Sequence, residues 1–427
     1  MEQNKTNQTN ELTALFFRSE YGKMVAVVTK YIGTENVTTA EDIVQETLLK
    51  AVNHWQLTGI PENPQAWLYT TAKNLTFNVL KRKKIEAKYR SEPIDVDESS
   101  STNEVMTFTA NEIVDQQLNM MFVCCHPSIS ENTQVALILN ILCGFRIAEI
   151  AHAFFSNIET INKRLVRGRQ QLRQNFDFAS QPNVNERLPI VLRSIYLLFN
   201  EGYLPSQKEE VTRYDLSLEA IRLVNILLKS PLIHDKSDSH ALLALMYLNA
   251  SRFDARENST NTIVEMSDQN RKKWNRDLIN RGIDALNQAI KENRVSIYLI
   301  LATISAQHCI APSLDKTNWN QILSLYDDLL ELNDSSIVKL NRSVALAKVK
   351  GNKTAISELE SIEVEFKLEQ NHLFHATLGE LYRLDNEGIK AIEHFNKAIK
   401  LAKNQRDVKF LQRKLVSVVP NGQAQVS

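Results

Sequence analysis

Glycine and proline are both rare in this chain, and that rarity constrains its fold more than any other feature. Only 11 glycines and 10 prolines occur among 427 residues. These are the residues that helix interiors exclude most strongly, and apolar residues recur at helical spacing through most of the sequence. We therefore predict an all-α fold, and the chain is long enough for two or three domains.

The segment from Gly144 to Arg173 has the pattern of a helix-turn-helix. Ser156 and Glu159 have the spacing of a capping box, which predicts the start of the second helix. That helix carries five basic residues and no acidic residue after Glu159. Its predicted inward residues are Ile158, Ile161, Leu165 and Leu172. The outward residues that could enter a major groove are Thr160, Lys163, Arg164 and Arg167. The alternative interpretation is a solvated basic helix.

The basic residues are clustered even though the net charge is zero. One cluster lies in residues 81–90 and another in residues 163–173, and the stretch 91–104 between them is acidic and rich in serine. Local clustering, rather than net charge, decides whether a surface can bind nucleic acid. The acidic stretch predicts a flexible linker between two helical blocks.

Two helices are predicted to lead up to that linker. Thr38 and Glu41 have the spacing of a capping box, which places Glu41 on the outer side of the first helix. The other outward residues are Asp42, Gln45 and Glu46. An acidic first turn that only complements the helix dipole is the alternative. Asn63 and Pro64 predict the start of the next helix. Its polar stripe consists of Thr70, Asn74, Asn78 and Lys81, flanked by Lys73. Most such stripes are ordinary exposed surface.

The region from about 180 to 417 contains helices that resemble repeats. Six consensus positions of a tetratricopeptide repeat occur in residues 378–402 at the expected spacing. They are Leu378, Gly379, Tyr382, Ala391, Phe395 and Ala398. His375 and Lys403 stand where the consensus has Trp and Pro. We expect a partly degenerate solenoid that binds a protein partner or only stiffens the chain.

No catalytic or metal site of comparable specificity is visible in the sequence. Cys124, Cys125 and His126 lack the spacing of a zinc site, and buried thiols are the preferred interpretation. Glu201 has no His, Lys or second carboxylate close to it in the sequence, which favours a capping or helix-packing role. We therefore expect no enzymatic activity, no cofactor and no bound metal. We also expect a cytoplasmic protein without a membrane segment, since no disulfide pattern, signal peptide or long apolar run is present.

Several of these segments together resemble a known family. AEDIVQETLLKAVNHW (40–55) and NPQAWLYTTAKNLTFNVLKRKK (63–84) resemble region 2 of an extracytoplasmic-function (ECF) RNA polymerase sigma factor. Residues 131–173 resemble its region 4, in the expected order. The motif LFNEGY (198–203) and the repeat near the C-terminus are similar to the subgroup with a tetratricopeptide-like extension.

The resemblance implies a promoter-specificity subunit with no catalysis of its own. It implies contacts with core polymerase, at the β′ clamp helices and the β flap, and with promoter DNA. The residues matching the clamp contact are Asp42, Gln45 and Glu46. Those matching the −10 contact are Lys73, Asn74, Asn78, Lys81 and Arg82, with Asn78 replacing the usual Asp. Those matching the −35 contact are Thr160, Lys163, Arg164 and Arg167. The extension would set activity in place of a separate membrane protein.

The resulting domain prediction has five parts. They are region 2 at 11–90, a linker at 91–111, region 4 at 112–178, a tetratricopeptide-like regulatory domain at 179–417 and a disordered tail at 418–427. One alternative is a conventional helix-turn-helix regulator with a peptide- or ligand-sensing repeat domain. Another is a scaffold protein whose basic helices are incidental.

Overall fold

The structure is a computed structural model that describes residues 2–89, 108–154, 156–174, 184–203, 213–256, 264–291, 294–363, 368–402 and 405–418. Within these ranges all regular structure is helical, which confirms the predicted all-α class. Most of the predicted linker and the tail after Val418 lie outside the described residues.

The chain forms two compact units. The first comprises residues 1–198 and 225–234, and the second comprises residues 199–224 and 235–427. Among its described residues up to 174, the first unit contains seven α-helices: α1 (Glu2–Ile32), α2 (Val37–Thr58), α3 (Pro64–Tyr89), α4 (Ala110–Val123), α5 (Glu131–Leu137), α6 (Ile147–Ala153) and α7 (Ile158–Gln174). Helices α8 (Val184–Tyr203) and α9 (Tyr214–Lys229) contribute residues to both units.

Helix α1 is the centre of the first unit and packs against α2, α3 and α4. Met24, Val25 and Val27 on this helix are fully buried. A π-helical turn at Ile138–Leu142 continues α5 and packs against α1. Gly22 permits this contact, because a Cβ at residue 22 would lie 2.0 Å from the Leu142 carbonyl oxygen.

The predicted helix starts are right in one case and displaced in two. Asn63 caps α3 by accepting a hydrogen bond from the Ala66 amide at 2.9 Å. The prediction that Thr38 begins a helix is wrong, because α2 already begins at Val37 after a 3₁₀ turn. Ser156 does not cap α7, since Asn157 accepts the Thr160 amide at 2.7 Å and so occupies the capping position.

The second unit continues with ten further helices among its described residues. They are α10 (Ser237–Ala250), α11 (Phe253–Arg256), α12 (Arg276–Ile290), α13 (Ile297–Ile310), α14 (Trp319–Leu332), α15 (Ser336–Lys350), α16 (Asn352–Ile362), α17 (His372–Leu384), α18 (Gly388–Leu401) and α19 (Gln405–Val418).

The predicted repeat residues lie at the contact between α17 and α18. All six are buried there, and a Cβ at Gly379 would lie 2.9 Å from the Phe395 ring. The close approach of these two helices therefore depends on a glycine facing an aromatic ring. Assignment of this stack to the tetratricopeptide class stays a prediction.

Candidate nucleic-acid interface

Helix α3 has one buried side and one polar side. Leu68, Ala72 and Thr76 are fully buried, and the Thr76 hydroxyl donates a hydrogen bond to the Ala72 carbonyl at 2.7 Å. The five residues predicted for the −10 element lie on the rest of this helix. Asn74, Asn78, Lys81 and Arg82 are exposed, and Lys73 is half-buried. The helix has no acidic residue from Pro64 to Lys84, so this surface can approach phosphates without repulsion.

Phe77 is a feature of α3 that the sequence analysis missed. Its side chain is 60% exposed. It lies three or four residues from Lys73, Asn74 and Lys81, which makes these residues its neighbours on the helix surface. The helical spacing of the sequence places Phe77 on the polar side of α3. That side was recognised only from its polar residues, and its aromatic residue was overlooked.

Helix α2 presents the three predicted polymerase-contact residues to solvent. Asp42, Gln45 and Glu46 are exposed, and Glu46 forms a surface ion pair with Lys50 at 3.0 Å. The expectation that Glu41 also points outward is wrong, because Glu41 is only 6% exposed. Glu41 is buried because it pairs with Arg169 on α7.

Helix α7 packs one side and leaves its basic side exposed. Ile161, Leu165 and Leu172 are buried as predicted, whereas Ile158 is 58% exposed because it is the first residue of the helix. Of the four predicted −35 residues, Thr160, Lys163 and Arg167 are exposed. The remaining one, Arg164, is half-buried, with its guanidinium 5.4 Å from the centre of the Phe154 ring. This contact restrains the arginine, and Lys163 forms a surface ion pair with Glu159 at 2.6 Å.

The C-terminal half of α7 contacts α2. The Arg169 guanidinium donates to both carboxylate oxygens of Glu41, at 2.9 and 2.7 Å, and to Asn140 Oδ1 at 2.6 Å. One turn later, Arg173 donates to the Thr38 hydroxyl at 2.6 Å. We refer to the Glu41–Arg169 pair and the Arg173–Thr38 bond together as the α2–α7 clasp.

The electrostatics of the clasp favour a charged pair. Burial opposes the charge on Arg169, but the Glu41 carboxylate outweighs burial and raises the Arg169 pKa above its usual value. Burial, together with nearby Glu41, also raises the pKa of Tyr21, so this hydroxyl stays protonated. The carboxylate of Glu41 therefore has a cation as its partner.

A second ion pair joins α1 to α6. Arg18 contacts Glu149 at 2.7 Å, and Glu149 is 1% exposed. The same carboxylate accepts the Arg146 amide at 2.7 Å and so closes the first turn of α6. The guanidinium of Arg18 also lies 5.6 Å from the centre of the Phe145 ring.

The cysteines and the glutamate considered for metal or catalytic chemistry are buried, whereas His126 is half-buried and its Nδ1 lies 2.7 Å from the Ser128 hydroxyl. All four cysteines are buried and form no disulfide, and burial raises the pKa of both Cys124 and Cys125. No group of three or more metal-ligating side chains occurs in the described part of the chain. Glu201 is buried, as a packing role requires. None of the helices that could be assessed is long and apolar enough to cross a bilayer.

Comparisons with known proteins match two segments of the chain to families. Residues 16–85 match the family described as sigma-70 region 2. Residues 187–290 match a family of unknown function, DUF6596. No solved structure matches the chain.

Two relatives extend these matches. "Uncharacterized protein R00370" of Rhizobium meliloti is 30% identical over 384 residues, which cover 89% of this chain and 90% of the relative. "ECF RNA polymerase sigma factor SigL" of Mycobacterium tuberculosis is 31% identical over 108 residues, which cover 25% of this chain and 59% of that protein. These matches support a sigma factor with a role in transcription initiation. The chain belongs to the family of the Rhizobium meliloti protein R00370, and it contains a sigma-70 region 2 domain.

Proposed function

We propose that this protein is an ECF-type sigma factor that directs core RNA polymerase to specific promoters. In this proposal the exposed face of α2, with Asp42, Gln45 and Glu46, binds the β′ clamp helices. Helix α3 binds and helps to melt the −10 element. Helix α7 binds the −35 element as duplex DNA, in the manner of the second helix of a helix-turn-helix.

One observation carries the proposal: the stretch Pro64–Lys84 of α3, which has no acidic residue, lies within a sigma-70 region 2 domain. Lysine and arginine neutralise phosphate there, and the amides of Asn74 and Asn78 can hydrogen-bond base edges. The exposed residues of α7 provide a second basic surface, and the protein described as SigL supports the ECF class.

The second unit is the proposed regulatory part. Its stacked helices offer a partner-binding surface of the kind that solenoids have, and we assign it the task of setting when the chain activates promoters.

Association with core polymerase tests the proposal. The purified chain is mixed with core enzyme and analysed by size-exclusion chromatography, and an Asp42→Lys, Glu46→Lys variant is run in parallel. We expect co-elution of the wild-type chain and loss of co-elution in the variant, because a charge reversal on α2 repels a basic partner. Failure of the wild-type chain to co-elute would contradict the proposal.

A shortened chain tests the regulatory role. A protein that ends at residue 198, which keeps residues 1–198 of the first unit, is compared with the full chain in transcription with core enzyme, after circular dichroism has shown that it is helical and folded. We expect promoter output to change. Equal output from the two folded proteins would remove the regulatory role and leave the sigma-factor role intact.

A further inference from the structure

Two arginines of the second unit lie against one buried tryptophan. The guanidinium carbons of Arg252 and Arg271 lie 5.9 and 4.4 Å from the centre of the Trp274 ring. His308 is close to both, because Arg271 donates a hydrogen bond to its carbonyl at 2.7 Å and Arg252 acts on its charge. We refer to Arg252, Arg271, Trp274 and His308 as the arginine cluster.

Three segments of the second unit bring the arginine cluster together. Arg252 lies between α10 and α11, the segment 271–274 precedes α12, and His308 lies in the last turn of α13. The Asn275 amide donates to the Ser251 carbonyl at 2.8 Å and so ties the first two segments to each other. The position of the two guanidinium groups is therefore set by the backbone, as a binding site requires.

The hydrogen bonds of the two guanidinium groups go to neutral oxygens. Arg252 Nη2 donates to the Tyr203 hydroxyl at 2.7 Å and to Asn249 Oδ1 at 2.9 Å. Arg271 Nη1 donates to two main-chain carbonyls at the end of α13, at 2.7 and 2.8 Å. These bonds orient both arginines, but none of them neutralises a charge.

The electrostatics of the arginine cluster differ from those of a paired arginine in the same unit. Burial and the nearby charges of Arg252 and Arg276 lower the pKa of Arg271. At Arg342, by contrast, two carboxylate partners outweigh burial and raise the pKa. Burial, with Arg252 and Arg271, also lowers the pKa of His308 to about 4. The cluster therefore has an excess of positive charge that its described neighbours do not cancel.

Four buried nitrogen atoms of the arginine cluster have no hydrogen-bond partner among the described residues. They are Arg252 Nε, Arg271 Nη2, Trp274 Nε1 and His308 Nδ1. The first and third belong to side chains of residues that are only 8% and 3% exposed. Buried donors in folded proteins are nearly always paired, so this arrangement calls for an acceptor.

Packing of arginine on an indole ring explains only part of this arrangement. A cation–π contact stabilises the charge through the ring face, but it gives the N–H groups no acceptor. A second arginine on the same ring adds repulsion between like charges. An anion placed among these groups would remove both costs.

The arginine cluster can be reached from its half-buried members. Arg271 and His308 are half-buried, whereas Arg252 and Trp274 are buried. The run RKKWNR (271–276) contains four basic residues and no acidic residue. Its exposed basic residues are Lys272, Lys273 and Arg276. This charge attracts anions, and the burial of the deeper members suits a small anion better than a macromolecule.

We propose that the arginine cluster binds the oxyanion group, carboxylate or phosphate, of a small molecule. Arg252 Nε and Arg271 Nη2 donate charge-assisted hydrogen bonds to its oxygens, and Trp274 Nε1 donates a third. Three of the four cluster residues lie in the segment 187–290 that matches the family of unknown function. The site goes beyond the proposed function, because it involves neither DNA nor polymerase.

Isothermal titration calorimetry of the full chain tests the site, with inorganic phosphate and citrate as probes. Sodium chloride keeps the ionic strength equal in all titrations, because screening alone changes the affinity of exposed charges. We expect saturable binding of at least one probe, at one site per chain. Binding of phosphate alone assigns a phosphate ligand, binding of citrate alone assigns a carboxylate ligand, and binding of both supports the shared oxyanion chemistry.

Three variants locate the binding. Arg271→Gln removes a charge and should weaken binding by at least about tenfold. Trp274→Phe keeps a ring but removes the indole N–H, and it should weaken binding by about fivefold. Arg342→Gln is the matched control, since Arg342 is also half-buried and in the same unit but pairs with Asp327 and Glu358. It should bind as the wild-type chain does.

Two results would overturn the anion site. The first is a wild-type chain that binds neither probe saturably. The second is equal affinity in Arg271→Gln, Trp274→Phe and Arg342→Gln, which would place the binding elsewhere. Thermal melting shows whether each variant is folded, and Trp274→Phe keeps the test informative if Arg271→Gln is not. Either result would leave the proposed function standing, since that depends on association with core polymerase.

Discussion

In the first unit, ion pairs join helices that are far apart in the sequence, whereas in the C-terminal stack of α13–α19 they join helices that follow one another. In the first unit, Arg18 pairs with Glu149 and Glu41 with Arg169, which are 131 and 128 residues apart. In the stack, Arg342 on α15 pairs with Asp327 on α14 and Glu358 on α16, which are 15 and 16 residues away.

The sequence separation of these contacts affects how the stability of each part depends on single residues. A stack whose helices contact the helices before and after them gains stability repeat by repeat, and no single pair decides its shape. The first unit depends on a few long-range contacts between two helical groups, and such contacts can be lost together. The first unit is therefore expected to be more sensitive to the loss of a single contact than the stack.

The largest effect is expected at Gly22. Gly22→Ala places a Cβ 2.0 Å from the Leu142 carbonyl oxygen, so α1 and the π-helical turn must move apart. We expect a loss of about 3 kcal/mol in the free energy of unfolding, measured by urea denaturation. Gly388→Ala in the stack is the control, because its Cβ would lie 3.7 Å from the Val418 side chain, an ordinary contact. Equal stability of the two variants would show that the contact at Gly22 is not tight.

Arg169→Met should have the next largest effect. It leaves the buried Glu41 carboxylate without its cation, and we expect a loss of about 2.5 kcal/mol, below the usual cost because Arg169 is partly exposed. Adding Glu41→Gln should recover part of the loss, since the buried charge is then gone. Denaturation of both single variants and the double variant checks this. Strictly additive losses would argue against a direct pair.

The stack should respond to pH through His308. Burial, with Arg252 and Arg271 nearby, lowers the pKa of His308 to about 4. The unfolded chain, with a His pKa of about 6.5, then binds more protons than the folded chain between these values. Stability should therefore fall as pH drops, by about 2 kcal/mol from neutral pH to about pH 5. His308→Asn should reduce this dependence in denaturation experiments without abolishing it, because burial also lowers the pKa of His394 on α18 to about 4. An unchanged slope would exclude His308 as a source.

Arg342→Met should have the smallest effect. Its two partners on neighbouring helices are partly exposed, and partly exposed ion pairs contribute about 0.5 kcal/mol each. Thermal melting of this variant beside Arg169→Met measures the contrast between the stack and the first unit directly. A larger loss of stability in Arg342→Met than in Arg169→Met would contradict the proposed difference between the stack and the first unit.

The sequence predicted features that depend on local pattern. The all-α class followed from the rarity of Gly and Pro, and the start of α3 followed from Asn63 and Pro64. The buried residues Ile161, Leu165 and Leu172 of α7 followed from helical spacing. In each case the energy that decides the feature comes from residues within a few positions in the chain.

Features that depend on distant partners were not predictable in this way. Glu41 looks like an exposed first-turn carboxylate, and nothing near it in the sequence indicates that Arg169 is 128 residues later. The approach of Gly22 to Leu142 has the same origin. The roles of the predicted DNA- and polymerase-contact residues stay predictions, because exposure shows that they are accessible and not what they bind.

The most direct measurement of the central claim is transcription of total genomic DNA by core polymerase with and without the purified chain, followed by mapping of the transcript starts. The account predicts a set of starts that appears only with the chain and shares a pair of sequence elements upstream. Loss of these starts in the Asp42→Lys, Glu46→Lys variant would tie them to α2. Identical start sites with and without the wild-type chain would contradict the account.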